Sequence, residues 1–213
     1  MKVRIQKKGK ERWDFALDEA PVSFANALRR IMVSEIPVLA IDVVDVHENS
    51  SAVFDELVAQ RLGLIPLSFD PSKFNQVAEC KCEGKGCSLC QVVFALEKKG
   101  PAMVHSSDLK SSNKAVEPTD AGFLLLELLP NQSIKLEATA RLGTGKEHAK
   151  FQAANAVFEN VPEDQEDKVN TSPDKFLFHV ETISGLEPGY IVQKAAEILE
   201  EKAKEFKKEA ADL

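Results

Sequence analysis

The spacing of apolar positions changes along this chain, and each change marks an element. Val3 and Ile5, then Trp13, Phe15 and Leu17, alternate with polar residues around Lys7-Lys8-Gly9-Lys10, the pattern of two strands joined by a Gly-containing turn. From Phe24 the period lengthens. Phe24, Ala27, Leu28, Ile31 and Met32 stand at i, i+3, i+4, i+7 and i+8, one stripe of a helix over roughly residues 21–35. Pro21 suits its first turn, and Pro37 closes it by disfavouring helical geometry at Ile36. Asn26, Arg29 and Arg30 face elsewhere, and periodicity alone reads the segment as a core helix.

Alternation returns after Pro37. Leu39, Ile41 and Val43 are followed by Val44 and Val46, a phase slip that a β-bulge explains, with Asp42 and Asp45 read as the exposed face. Asn49-Ser50-Ser51 is expected to turn and cap a second helix with Phe54, Leu57, Val58 and Leu62 as its stripe, ended by Gly63 and Pro66. Val92, Phe94 and Leu96 mark a strand ending near Gly100-Pro101, and residues 106–120 read as irregular loop. Phe123 to Leu129 and Ser133 to Leu142 read as strands flanking a turn at Pro130-Asn131. The acidic stretch Pro162 to Asp167 reads as a solvated bridge, and Phe176, Phe178 and Val180 mark a further strand.

From Tyr190 onward a long helix carries Ile191, Ala195, Ile198, Leu199, Lys202 and Phe206 down one side. About 20 residues make it ~30 Å long, more than one small layer covers. With Phe24, Leu28, Ile31 and Met32 of the first helix, the residues Ile191, Ala195, Ile198, Leu199 and Phe206 are therefore expected to form half of a dimer interface.

Four cysteines occur, all in Cys80-Lys81-Cys82-Glu83-Gly84-Lys85-Gly86-Cys87-Ser88-Leu89-Cys90. The spacing C-x-C-x4-C-x2-C, with two glycines to fold the backbone back, suits one tetrahedral thiolate site. With four protein ligands no position stays open for water, so a structural Zn²⁺, one per chain, is expected from Cys80, Cys82, Cys87 and Cys90. Iron–sulfur ligation and free reduced thiols are the alternatives that the ligand chemistry leaves.

Other motifs fail on inspection. Gly143-Thr144-Gly145-Lys146-Glu147 lacks the first glycine of a phosphate loop, where Ala140 stands, and has Glu147 in place of Ser/Thr. His47, His105, His148 and His179 have no metalloprotease or deaminase spacing. There is no G-x-S-x-G elbow or aspartate triad for Mg²⁺, so no catalytic residues are expected.

The chain has 213 residues, 44% apolar and 29% charged, the composition of a globular protein with a real core. Its formal net charge of −7 argues against an autonomous nucleic-acid binder. No apolar run nears the ~18 residues of a membrane span, and the start lacks a signal-peptide core, so a cytoplasmic location without membrane contact is expected.

The order Ala25-Asn26-Ala27-Leu28-Arg29-Arg30-Ile31, Glu35-Ile36-Pro37, Phe54-Asp55-Glu56 and Gln60-Arg61-Leu62-Gly63-Leu64-Ile65-Pro66-Leu67 resembles the α-like subunit family of cellular RNA polymerases, most closely its archaeal D-type branch. Gly143 to Phe151 and Phe176 to Val192 extend the resemblance over nearly the whole chain. The family also includes the N-terminal domain of the bacterial α subunit and the eukaryotic nuclear α-like subunits.

The resemblance implies an α+β fold. Residues 1–37 and 171–213 would form a discontinuous dimerisation domain of strands plus two main helices, and residues 38–170 an inserted, mainly β domain carrying the cysteine loop at 80–90. It implies a non-catalytic assembly subunit of a DNA-dependent RNA polymerase, a component of a nucleotidyltransferase complex acting in transcription. Heterodimerisation with subunit L would make a platform for subunits N and P and the large catalytic subunits, with DNA met only in the complex. Arg29 and Arg30 are the candidates for contact with a large subunit. The nuclear relatives' similar cysteine loop favours zinc. Many archaeal members carry an iron–sulfur insertion after the inserted domain, but residues 162–173 hold no cysteine, so no such cluster is expected here. The alternative is a stand-alone zinc-containing dimeric binding module.

Overall fold

The computed structural model describes residues 1–162 and 171–211; of the acidic bridge, Glu163 to Asp167 lie outside them. In chain order the strands are β1 (Lys2–Lys8), β2 (Arg12–Asp18), β3 (Val38–Asn49), β4 (Leu67–Ser68), β5 (Gln91–Lys99), β6 (Ala102–His105), β7 (Lys110–Ser111), β8 (Glu117–Pro118), β9 (Leu124–Leu128), β10 (Ser133–Gly143), β11 (Ala154–Pro162) and β12 (Thr171–Thr182). The helices are α1 (Val22–Ser34), α2 (Asp55–Gly63) and α3 (Pro188–Ala211). Sheets and helices are thus mixed, and the chain divides into two compact units.

The first unit is Met1–Ile36, Thr144–Lys146 and Gln152–Leu213. Its antiparallel sheet runs β1-β2-β12-β11, so the first and last strands of the sequence both flank β2 in one sheet. Phe15, Phe176 and Phe178 are buried in it, and Phe158 meets Phe176 edge-on at 5.2 Å. The α1 stripe packs on β11, β12 and α3, while α3 packs on β2 and β12. The strand β11 was not legible from the alternation rule. Its inward positions are Ala154 and Ala156, small residues that let α1 approach but give a weak apolar signal. Pairing of β11 with β12 also moves the boundary expected at residue 170, because residues 152–162 cluster with the terminal elements.

The second unit is Pro37–Gly143 and Glu147–Phe151. Its main sheet runs β3-β10-β5-β7. The expected bulge is present: Val43 pairs with Thr139 and Ile41 with Ala140, leaving Asp42 as the extra residue, and His47 is skipped in the same way. The second helix starts later than expected. Asn49 and Ser51 close a turn on themselves, with the Ser51 N–H donating to Asn49 Oδ1 at 3.1 Å and Asn49 Nδ2 to the Val53 carbonyl at 2.8 Å. The cap position falls to Phe54, whose side chain has no hydrogen-bonding atom to offer the helix. Of the expected stripe only Val58 and Leu62 are buried; Phe54 and Leu57 are exposed. The strands around Asn131 do flank a turn, where Asn131 takes φ 66, yet they do not pair with each other. Instead β9 pairs with β6, a strand not read from the sequence, and β10 lies between β3 and β5.

Candidate functional site

The cysteine loop sits between a single 3-10 turn, Val77–Glu79, and β5. Cys80 and Cys90 are buried, and Cys82 and Cys87 are half-buried. Glu83, Gly84 and Gly86 all take left-handed backbone angles, which folds the two cysteine pairs toward each other. The Cys87 N–H points at Cys90 Sγ at 3.3 Å, and the Gln91 N–H donates to the Cys87 carbonyl at 2.9 Å.

The sulfur positions test whether a metal fits. All four Sγ atoms lie within 4.8 Å of one another, with Cys80–Cys87 at 3.6 Å, Cys82–Cys90 at 3.5 Å and Cys87–Cys90 at 3.8 Å. Sulfurs ~2.3 Å from one metal at tetrahedral corners stand ~3.8 Å apart, so the donor set fits a tetrahedral ion. Desolvation opposes ionisation of Cys82, but hydrogen bonds from the Cys80 and Cys90 thiols and the Gly86 N–H outweigh it and lower its pKa to about 7. Burial pushes Cys90 up to about 12, so a cation would be needed to hold all four as thiolates. Among the described residues this is the group of side chains suited to holding a metal.

The expected interface residues separate into two sets. Leu28, Ile31, Met32, Ile191 and Ala195 are buried within the chain itself, against its own sheet and helices, which corrects their reading as surface awaiting a partner. Phe24, Ile198 and Leu199 are half-covered, and Phe206 is 76% exposed. Arg30 is exposed, whereas Arg29 is half-buried and donates to Asn26 Oδ1 from Nε at 3.3 Å and from a terminal nitrogen at 3.1 Å.

The glycine loop has a packing role. A Cβ on Gly145 would stand 2.7 Å from the Val33 carbonyl oxygen, so the close approach excludes a side chain. Lys146 donates from its backbone to the Ser34 carbonyl at 3.0 Å, and its Nζ pairs with Glu35 at 3.0 Å. The lysine that a phosphate loop would aim at a ligand is thus engaged at the end of α1.

Asp42 is also corrected. It is half-buried at the bulge, accepting from Arg141 Nε at 2.6 Å and Lys150 Nζ at 2.5 Å. Desolvation works against its charge, but those hydrogen bonds prevail and hold its carboxyl below the usual aspartate range. Arg141 also reaches Glu147 at 3.1 Å. Only the register slip around Asp42 hinted at this network. The four histidines do not converge: His47 is exposed on β3, His148 Nδ1 accepts from the Lys150 N–H at 3.1 Å, His105 caps a 3-10 turn, and His179 lies 2.8 Å from Asp14.

A four-stranded sheet under two helices, interrupted by a second unit with a four-thiol loop, defines a class. Residues 14–203 match the RNA polymerase Rpb3/Rpb11 dimerisation domain, and the chain belongs to that family. Among individual proteins it is similar to DNA-directed RNA polymerase subunit Rpo3 of Methanocaldococcus jannaschii, with 40% identity over 196 residues, 92% of this chain and 88% of that one. The Rpo3 subunit of Methanopyrus kandleri is 36% identical over 198 residues, covering 90% of this chain and 72% of its own length. With Rpo3 of Archaeoglobus fulgidus the identity is 43% over 150 residues, and the chain spans 57% of that relative's length. Among the described residues no helix is long and apolar enough to cross a membrane.

Proposed function

We propose that this chain is the D-type assembly subunit of an archaeal DNA-directed RNA polymerase. In this reading it heterodimerises in the cytoplasm with an L-type subunit, and the pair forms the platform for subunits N and P and the large catalytic subunits. The observation that carries the proposal is the end of α3. A helix that exposes Phe206 beyond its own core, in a family defined by dimerisation, is best explained by a partner that covers it. Phosphodiester chemistry then belongs to the large subunits, and this chain contributes geometry. Arg30, exposed on α1, and Arg29 remain the candidates for contact with one of those large subunits.

The four-thiol loop is proposed to hold zinc, with Cys80, Cys82, Cys87 and Cys90 as ligands. A closed thiolate site for a redox-inert ion cross-links the loop without offering a reactive position.

Affinity purification from native cells tests the main proposal. The tagged chain should bring down an L-sized polypeptide together with polypeptides large enough to be catalytic subunits, and the assembly, not the isolated chain, should synthesise RNA on a template. Solitary migration, or template-dependent synthesis by the pure chain, would overturn it.

A further inference from the structure

The four-thiol loop is not equally covered on all sides. Cys80 and Cys90 are buried, and Cys82 and Cys87 are half-buried. Of the four, Cys87 lines a cavity of about 430 Å³ between the loop, the start of β5 and residues 112–114. Ligand sites begin near ~300 Å³, so there is room for part of a small organic molecule. The walls are fixed by short-range contacts. Gly86 at φ 81 carries the chain past the Gln91 side chain, where a Cβ would stand 2.1 Å from Gln91 Oε1. Ser112 is tied to β5, its hydroxyl accepting the Val93 N–H at 3.0 Å and its own N–H donating to the Val93 carbonyl at 2.8 Å.

The cavity is polar and carries a cation. Ser88, Gln91, Asn113 and Lys114 around it bring hydrogen-bond donors, and Lys114 is the charged residue among those that line it. Lys114 is exposed, and among the described residues no carboxylate lies within ion-pair distance of it. Such a wall attracts small anions, carboxylates above all. A tetrahedral site filled by four sulfurs offers no position on the ion, so reactivity at the loop falls to the sulfurs themselves, and a thiolate is the nucleophilic form of cysteine.

We propose that Cys87 is a modification site, the sulfur through which a small carboxylate-bearing disulfide enters the loop and expels its ion. This deepens, and rests on, the zinc reading above. Cys87 Sγ attacks one sulfur of the reagent R–S–S–R. The Cys87–SR bond forms as the S–S bond breaks, and RS⁻ leaves with the electron pair. Either buried neighbour, Cys80 Sγ at 3.6 Å or Cys90 Sγ at 3.8 Å, then attacks Cys87 Sγ and displaces the second RS⁻. Two protein thiolates have lost two electrons to the reagent, and no other oxidant enters. Two thiolates remain, too few to hold a structural ion against solvent.

The test uses the full chain purified with its metal, and oxidised glutathione as the probe. After brief exposure and acid quenching, peptide mapping should find the first glutathionyl adduct on Cys87, roughly ten-fold ahead of the other three cysteines, as exposure dictates. Zinc should then appear in solution in step with reduced glutathione, and the mapped disulfide should join Cys87 to Cys80 or Cys90. Lys114→Glu, in an exposed turn, should slow this reaction by roughly ten-fold and should not slow cystamine, a cationic disulfide. A zinc-loaded chain whose first adduct lies on Cys82, or whose four cysteines react at one rate, overturns the inference and leaves the zinc reading standing. So does a Lys114→Glu chain that keeps the wild-type rate with oxidised glutathione. The wild-type map decides the matter even if the variant misfolds. A chain that carries no zinc as purified sinks the zinc reading, and the expulsion step falls with it.

Discussion

The rings of Phe15 and Phe178 stack with centroids 4.8 Å apart and planes 4° from parallel, joining β2 to β12 across most of the sequence. Both are at most 2% exposed. Phe178→Ala should therefore destabilise the chain by about 3–5 kcal/mol, the range for removing a buried phenyl ring. Denaturant unfolding of the purified chain measures it, and a loss below ~1 kcal/mol would mean the two ends do not share a core.

Glu35 joins three elements of its unit. It pairs with Lys146 of the glycine loop at 3.0 Å and with Lys202 of α3. Desolvation opposes its charge, but the hydrogen bonds from Lys202 and Lys146 outweigh it, so its folded pKa lies below the ordinary glutamate value. A depressed carboxylate pKa contributes stability above the unfolded value of about 4.3 and loses it as pH falls through the folded value. Because both lysines are well exposed, Glu35→Gln should cost no more than about 1 kcal/mol at pH 7. That difference from wild type should shrink toward zero in acid. A gap that stays constant from neutral pH down to pH ~2 would exclude the ionised pair as its source.

The metal prediction follows from the four sulfurs. Elemental analysis of protein purified without chelator should find one zinc per chain. Chelation or Cys90→Ser should speed hydrogen exchange mainly over residues 80–90, because the surrounding strands bury their own apolar faces. Iron with visible absorbance would replace zinc in this account. Global unfolding on chelation would make the ion a determinant of the whole unit.

Phe206 separates stability from association. Since it is exposed, Phe206→Asp should leave the melting of the isolated chain within ~0.5 kcal/mol of wild type. It should nevertheless reduce co-purification with the L-type subunit, whereas Lys207→Asp, also exposed, should not. Leu199→Asp, half-covered already, should lower both. Equal recovery of L by Phe206→Asp and Lys207→Asp would remove the end of α3 from the interface.

Much of the local structure was legible because it depends on neighbours in the sequence. The period of Phe24, Leu28, Ile31 and Met32 defined α1, and the phase slip at Val43 and Val44 signalled a bulge, which the ladder places at Asp42. Where signals were weak the reading missed elements: β11 presents alanines to the core, and β6 is four residues long. Asn49 and Ser51 carried a real turn signal, but that turn closed on Val53 and left α2 uncapped.

By itself the sequence determined the thiol set, since four cysteines within eleven residues can meet whatever the rest of the chain does. It also determined both helical stripes, because amphipathic period is a local property. Only the tertiary structure decided what covers each stripe. The pairing of β2 with β12 brings α1 and α3 onto one sheet, and that long-range contact buries Leu28, Ile31, Met32, Ile191 and Ala195 inside the chain. The same sheet is wider than its two helices cover, which leaves Val3 and Ile5 bare. Alternation says that a residue has an apolar side; whether its own chain or another fills that side depends on strand order, which no local pattern encodes.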